Sequence, residues 1–339
     1  MARTSTALTY IRVAKEDSFK ISNASPTWFY PWAESCVITP ARDPLTPRFL
    51  TADRFIRAPV AGEHKADGRV SCTVGPENFH KFLLWMWPSL SSSAIGVAEG
   101  YLHTFSGGNT QHTFELQAQK GWMEEWNRGG WIRSCDFSSD RNSILRADLD
   151  VQFAQQDVVT VYSMPTNQTY STLDPFTDCL GTLERDDGAV TDMDGFSLRV
   201  SMGPQDFKSF GSISATDVVP GKYEIGWDLN CAFASDTEFR RFLGSKASTF
   251  HKAVGDRFET LKLEWKFQTG QYIDAGLAEA YRMILTCFTG SYETFENGIP
   301  SDNELLRSRP VLRVHYSASD SKDLQIDLAN TVAPATVAL

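Results

Sequence analysis

Residues 144–153 read ILRADLDVQF, and this run indicates the fold class because apolar and polar side chains alternate along it. The apolar residues share one face: Leu145, Ala147, Leu149, Val151 and Phe153. The opposite face carries Arg146, Asp148, Asp150 and Gln152. A period of two is typical of a β-strand with one buried and one solvated face. We therefore predict an antiparallel strand here.

The same alternation recurs on both sides of this run. It predicts further strands at 68–74 (GRVSCTV), 113–118 (TFELQA), 131–137, 223–233, 261–267 (LKLEWKF), 281–288, 311–317 and 324–328 (LQIDL). Helical spacing is confined to 76–87 (PENFHKFLLWMW) and 235–243 (SDTEFRRFL). The first begins with proline, and Ser235 with Glu238 forms a capping box at the start of the second. The chain is therefore predicted to be mostly β with two short helices.

The two predicted helices also indicate an internal repeat. They share a Phe-x-x-Phe-Leu core, FHKFL at 79–83 and FRRFL at 239–243. Strands of similar composition follow each in the same order, at an offset of roughly 150–170 residues. We predict two tandem, related β-sandwich or part-barrel units, each flanked by a short α-helix.

Loop-forming residues suggest how the chain is divided. Residues 1–60 are rich in Pro and aromatic side chains and are predicted to be an N-terminal arm that leads into the first unit. The first unit is predicted over 61–164, a linker over 165–193 and the second unit over 194–339. A polar loop at 291–310 is expected to interrupt the second unit and, at that length, to have a function.

Composition excludes several classes of protein. The net charge of −10 argues against a surface that grips nucleic acid, which relies on basic patches. It is compatible with a surface that lets nucleic acid pass. The six cysteines are widely spaced, which favours reduced thiols over zinc or disulfide frameworks. No apolar run is long enough for a membrane helix and no secretory signal is visible, so we expect no membrane association and a location in the cytoplasm.

No motif for catalysis, a cofactor or a metal is found. The glycine pairs at 107–108 and 129–130 match no nucleotide-binding pattern and are typical of turns. TDMDG at 191–195 lacks the distal glutamate of a calcium loop. The adjacent Glu124 and Glu125 do not have the geometry of a glycosidase pair. We expect no catalytic, cofactor-binding or metal-ligating residue.

The order of these segments resembles that of the major tail tube proteins of long-tailed, non-contractile bacteriophages. The opening YIRVAKEDSFKISNASPTWFYPWAES resembles their first strands, with Ala14 where the family usually has glycine. PENFHKFLLWMW, then YLHTFSGGNTQHTFELQAQKG and GGWIRSCDFSSDRNSILRADLDVQFAQ, resemble their helix and the strands that follow. The ending, VLRVHYSASDSKDLQIDLANT, is similar to the way many of these proteins finish.

The resemblance implies a structural virion protein of the tail, without an active site. Such subunits stack as rings into a hollow tube through which genomic DNA passes without specific binding. Tape measure, tail terminator and distal tail proteins would be its partners. Because single-unit relatives form six-fold rings, a chain with two units is expected to form a trimeric, pseudo-hexameric ring.

Two sets of residues are expected to act in this assembly. If strand 144–153 lines the bore, Asp148, Asp150 and Gln152 face the lumen and make it predominantly acidic. Contacts between rings are expected from the loop and the arm, at Tyr292, Phe295, Ile299, Leu305, Leu306, Trp28, Phe29, Tyr30 and Trp32.

Two alternatives from other classes stay open at this point. Nine tryptophans would suit a β-sandwich carbohydrate-binding module, which requires several aromatic rings on one exposed face. A glycosidase-like hydrolase would require two carboxylates in a cleft.

Overall fold

The structure is a computed structural model that covers most of the chain. It describes residues 9–43, 45, 62–96, 100–120, 123–140, 142–159, 170–191, 193–210, 212, 214–232, 242, 260–274, 276, 278–298 and 307–338. The described residues are mostly β, as predicted, with two short helices.

The strands of the first half are β1 (Thr9–Ser18), β2 (Ile21–Ser22), β3 (Ala33–Arg42), β4 (His64–Thr73), β5 (Ser89–Ile95), β6 (Gly100–Ser106), β7 (Phe114–Lys120), β8 (Met123–Asp140) and β9 (Arg146–Val159). Those of the second half are β10 (Thr177–Arg185), β11 (Gly188–Val190), β12 (Met193–Ser201), β13 (Gln205–Phe207), β14 (Asp217–Val219), β15 (Glu224–Ala232), β16 (Leu261–Asp274), β17 (Glu279–Gly298), β18 (Arg307–Val314) and β19 (Leu324–Asn330). The helices are α1 (His80–Met86) and α2 (Pro334–Ala338).

The alternation of residues 144–153 is confirmed in β9. Ala147, Leu149, Val151 and Phe153 are fully buried, whereas the polar residues between them are partly or fully exposed. Strand β9 lies between β4 and β8 and pairs antiparallel with both. Its apolar face therefore belongs to the core, and its polar face is shared with the neighbouring strands.

Helix α1 occupies the centre of the core. All of its residues are buried, and Trp85 stacks on Phe114 of β7 with ring centroids 4.6 Å apart. The predicted start at Pro76 is wrong, because residues 76–79 form a turn and the helix begins at His80. Asn78 holds this turn: its side-chain oxygen accepts from the Gly75 N–H (2.6 Å) and its amide donates to the Thr73 carbonyl (3.0 Å). The predicted second helix, 235–243, lies outside the described residues except for Phe242.

Two runs of six strands have the same order of pairing. The first is β3-β4-β9-β8-β7-β1 and the second is β12-β15-β18-β17-β16-β10, antiparallel at every step. Register shifts recur as well, at Ala33/Ser35, Phe114/Leu116 and Ile132/Ser134 in the first run and at Met193/Gly195, Leu261/Leu263 and Tyr292/Thr294 in the second. Such bulges re-aim a strand, so these three positions give the two runs matched bends. The second run has further shifts, at Thr177/Thr182, Gln268/Tyr272 and Tyr272/Asp274, without a counterpart in the described first run.

The two runs are joined into one sheet. The second half of β8 pairs with β12 over seven residue pairs, from Ser134↔Ser201 to Asp140↔Gly195. Elsewhere β6 of the first half pairs with β19 of the second half. The eight strands β3-β4-β9-β8-β12-β15-β18-β17 consequently form an unbroken ladder.

The predicted linker at 165–193 contains regular structure instead. Strand β10 pairs with β16 and β11, and β12 begins at Met193. The predicted turn within this segment is confirmed at Asp186 and Asp187, both with positive φ. Because positions of β10 and β11 such as Leu180 and Ala189 are exposed, these strands lack the alternation of buried apolar and exposed polar residues from which strands were predicted.

The predicted long loop at 291–310 is also wrong in its described part. Residues 291–298 continue β17 and 307–310 begin β18, and the two pair from Gly290↔Val314 to Gly298↔Arg307. The segment is thus the end of a hairpin, with its connection outside the described residues. Its charged residues misled the prediction because exposed positions of a strand, such as Glu293 and Arg309, carry charge as loop residues do.

The N-terminal arm is partly integrated into the sheet. Strand β1 pairs with β7, and β3 pairs with β4. Both belong to the first run of strands, as expected for a segment that is part of the first unit. The division of the chain into domains remains a prediction.

Candidate functional site

The outward side of the central strands forms a surface that we call the polar face. It consists of Arg69 and Ser71 on β4, Asp148, Asp150 and Gln152 on β9, Arg133 and Asp136 on β8, and Arg199 on β12. Beneath it lie the buried side chains Val70, Cys72, Cys135, Phe137, Leu149, Val151, Leu198 and Val200. The apolar face fixes the register, and the register sets which charges meet on the outside.

Carboxylates and arginines are paired across strands of the polar face. Arg69 Nη2 lies 2.7 Å from Asp148 Oδ2, and Arg133 Nη2 lies 2.7 Å from Asp150 Oδ1. Ser71 also donates to Asp148. Arg133 reaches Asp67 of β4 at 3.1 Å with its other terminal nitrogen. These pairs are partly exposed, so each stabilises the fold by no more than about 1 kcal/mol.

The face around Asp148 and Asp150 therefore carries more basic groups than the sequence of β9 suggests, and an acidic lumen stays a prediction. The sequence around Asp148 and Asp150 shows one arginine, but β4, β8 and β12 add Arg69, Arg133 and Arg199. On this surface the basic side chains form ion pairs with acidic ones. These arginines were missed because cross-strand neighbours come from segments distant in sequence.

One ion pair spans the junction of the two strand runs. Arg199 Nε of β12 lies 3.7 Å from Asp136 Oδ1 of β8. Burial raises the pKa of Asp136, while Arg199 and Arg69 oppose that shift by favouring the carboxylate. A similar pair on the second run joins Arg313 of β18 to Glu293 of β17 at 3.5 Å.

The aromatic residues of the arm pack within the subunit. Phe29 is buried, and its ring meets those of His80 and Phe82 edge-on. Trp28 and Tyr30 are half-buried; the Arg12 guanidinium lies 4.0 Å from the Trp28 ring. Trp32 is half-buried beside Gly75.

Of the expected contact residues in 291–310, the structure describes Tyr292 and Phe295. Tyr292 is buried in the core, and Phe295 is half-buried against it, with ring centroids 6.1 Å apart. Ile299, Leu305 and Leu306 lie outside the described residues. Burial leaves Tyr292 little surface for another ring, and we no longer assign it that role.

A hairpin that the sequence did not reveal adds exposed apolar surface. Strands β13 and β14 pair with each other, and Phe207, Phe210 and Val219 are exposed there. The hairpin is anchored on the first half of the chain, because Lys20 Nζ donates to the Ala215 carbonyl at 2.7 Å. It thereby crosses from the second run of strands to the first.

Two buried glutamates lie beside this anchor. Glu16 accepts from the N–H groups of Gly129 (2.6 Å) and Lys20 (3.2 Å), and burial raises its pKa to about 7, with Glu115 adding to the shift. Glu115 accepts from Ser22 Oγ (2.6 Å) and Trp126 Nε1 (2.7 Å). These bonds tie β1, β7 and β8 together.

The carbohydrate-binding alternative gains no exposed aromatic face in the described residues. Among the described tryptophans, five are buried and three are half-buried, so they form no exposed platform. In the same residues no group of three or more His, Cys, Asp or Glu side chains could hold a metal ion. No described helix is long and apolar enough to span a membrane.

Comparison with known families agrees with the mostly β fold. A sequence model of phage tail tube proteins matches residues 6–275, which is more than half of the chain. The chain belongs to the phage tail tube protein family. No curated protein matches the chain. As a tail tube protein it is a structural component of the virion tail that assembles with itself, which favours a structural role over catalysis.

For this tail tube protein the family match includes the whole first run and, in the second run, β10, β12, β15 and β16, whereas β17 and β18 lie beyond it. The eight-stranded ladder and its polar face are largely within the matched region.

Proposed function

We propose that the chain is a duplicated tail tube subunit of a long-tailed, non-contractile phage, and that three copies form each ring of the tube. The rings stack, and genomic DNA passes through the bore during ejection. The observation that carries the proposal is the shared pairing order of the two six-stranded runs.

The spacing of paired residues at the outer strands of the two runs favours a tandem duplication. Ile38 of β3 pairs with Gly68 of β4, and Leu198 of β12 pairs with Trp227 of β15. Each residue of the second pair follows its counterpart in the first pair by about 160 residues, as the copies of one repeated unit would.

The central strands of the two runs have the same spacing. Gly130 of β8 pairs with Phe153 of β9, and Gly290 of β17 pairs with Val314 of β18. The offset is again about 160 residues for both members of the pair. A nearly constant offset over separate strands is what one duplicated unit produces.

Ring size follows from this arrangement. Each chain contributes eight strands to the ladder, so three copies supply about 24 strands, the number that six single units of four strands would give. At about 4.8 Å per strand, the circumference is about 115 Å and the diameter about 37 Å before strand tilt widens it. Since barrels of 16–18 strands already hold an aqueous channel, such a ring has room for a wide bore.

The polar face suits the wall of that bore. Proteins that hold DNA neutralise its phosphates with arginine and lysine. On the polar face Arg69 and Arg133 are paired with Asp148 and Asp150, so their charge is already balanced. Such a wall, with Gln152 beside it, gives DNA no run of unbalanced basic groups to bind.

The remaining assembly partners follow from the family resemblance. We propose that tape measure, tail terminator and distal tail proteins contact the tube, and that the subunit is made in the host cytoplasm. For contacts between rings, the arm residues Trp28, Tyr30 and Trp32 and the connection at 299–306 remain candidates.

Microscopy and mass measurement test the proposal. Purified full-length protein should form rings or tubes under negative stain, and native mass spectrometry of rings should give three chains. Six full-length chains in a ring would refute the trimer, and a monomer without rings under all assembly conditions would refute the function.

A further inference from the structure

Within one chain, the joint between the two strand runs is a plain strand-to-strand junction. In it, β8 pairs antiparallel with β12 without a register shift, over seven consecutive residue pairs from Ser134↔Ser201 to Asp140↔Gly195. The second half of β8 is bordered by β9 on one side and β12 on the other. The joint therefore pairs one edge of the first run with one edge of the second run.

The outer ends of the eight-stranded ladder carry the counterparts of these two edges. Strand β3 corresponds to β12, and the second half of β17 corresponds to that of β8. Among the described strands, β3 pairs with β4, and residues 291–298 of β17 pair with β18. Val37 and Thr39 on β3 and Thr294 on β17 are exposed.

We propose that residues 294–298 of β17 pair antiparallel with residues 37–41 of β3 in a second copy of this chain, in the register of the β8–β12 junction. This inference rests on the proposed function and names the contact that closes its ring. With the offset of the two runs applied to each strand, the pairs are Thr294↔Ala41, Phe295↔Pro40, Glu296↔Thr39, Asn297↔Ile38 and Gly298↔Val37.

Backbone chemistry favours this occupant. A sheet edge presents N–H and C=O groups that a further strand satisfies, and an edge of the same fold offers matching twist and bulges. Pro40 lacks an N–H, so the ladder loses at most one donor at that position. Because the two edges lie at opposite ends of one ladder, the contact is head-to-tail. Such contacts generate a ring when the rotation from one copy to the next closes.

The side chains of one proposed residue pair, Thr39 and Glu296, allow a specific test of the contact. Arg199 and Asp136 form an ion pair across the intramolecular junction, and their counterparts in sequence are Thr39 and Glu296. A glutamate at position 39 would set two carboxylates opposite each other, which disfavours pairing. An arginine there would reproduce the pair found inside the chain.

Disulfide trapping tests the register. Thr39→Cys with Glu296→Cys should give, on mild oxidation of assembled rings, a covalent ladder that stops at three chains. The single-cysteine variants, and Thr39→Cys with Thr294→Cys two residues out of register, should give at least tenfold less product. Equal trapping of the shifted pair, or no trapping of the matched pair in intact rings, would overturn the inference.

Charge reversal tests it independently. Thr39→Glu should lower the fraction of protein in rings at least tenfold, and adding Glu296→Arg should restore it. Thermal unfolding of the unassembled subunit should be unchanged, which separates failed pairing from failed folding. If wild-type rings form and Thr39→Glu leaves them unaffected, the edge contact is wrong while the proposed function stands; if wild-type protein forms no rings, the proposed function itself fails.

Discussion

The two strand runs differ less in their order than in what surrounds them. In the first run β9 continues alongside β8 for the length of both, whereas in the second run β18 and β19 share the corresponding role beside β17, separated by residues 315–323. The edge of β12 is covered by β8 inside the chain, but β3 lies at the end of the ladder. Equivalent strands can thus lie inside the sheet in one place and at the end of the ladder in another.

Truncating a buried tryptophan that packs on each run should have the largest effect on stability. It should also show whether the two runs unfold as one unit. Trp85→Ala removes the ring stacked on Phe114, and Trp265→Ala removes one packed 4.1 Å from the Phe196 ring centroid. Each should lower the free energy of unfolding by about 3–5 kcal/mol in denaturant titrations. Both should shift one common transition, because β8–β12 and β6–β19 join the runs. Two separate transitions would mean that the runs unfold independently.

The buried carboxylate of the first run should produce a pH-dependent effect. Burial raises the pKa of Glu16 from 4.5 to about 7, despite opposing hydrogen bonds from Gly129, Thr113 and Lys20. Between these values the folded chain retains a proton that the unfolded chain has lost, so the free energy of unfolding falls as pH rises. Glu16→Gln does not titrate, and its stability relative to wild type should rise by about 3 kcal/mol from pH 4.5 to pH 8.

Unfolding titrations at a series of pH values measure this difference. Glu279→Gln, at a partly exposed carboxylate of the second run, is the matched control for the substitution. A constant difference between Glu16→Gln and wild type across the pH series would show that the carboxylate does not titrate in this range.

Reversing charge on the polar face should affect DNA passage more than stability. Asp148→Lys with Asp150→Lys places lysines beside Arg69 and Arg133, which should cost about 1–2 kcal/mol. Tubes should still assemble, but the surplus positive charge should hold phosphates and slow genome ejection. Asp148→Asn with Asp150→Asn is the milder control. Normal genome ejection by the lysine variant would show that β9 does not line the bore.

The smallest effect is expected at the junction inside the chain. Arg199→Thr gives β12 the residue that β3 has at the corresponding position. Because Arg199 is largely exposed and 3.7 Å from Asp136, the free energy of unfolding should change by less than about 1 kcal/mol. A loss of several kcal/mol in denaturant titrations would mean that the charge pair, and not the strand pairing, holds the two runs together.

Local pattern predicted much of this molecule. The alternation in 144–153 fixed the buried and solvated sides of β9, and the spacing of Phe79, Phe82 and Leu83 located α1. Matching segments in the same order led to the predicted repeat and to the family resemblance, and the family is confirmed. These features depend on residues a few positions apart, and the burial of one face is enough to impose them.

The tertiary structure decided what distant residues do together. It showed that 177–190 and 291–298 are strands, because exposed or hairpin strands need few apolar residues and so resemble loops in sequence. It also placed Arg69, Arg133 and Arg199 among the carboxylates of β8 and β9, and it brought β8 against β12. Pairing between strands is made by backbone groups that every residue shares, so the sequence can specify that a strand forms without specifying its neighbour.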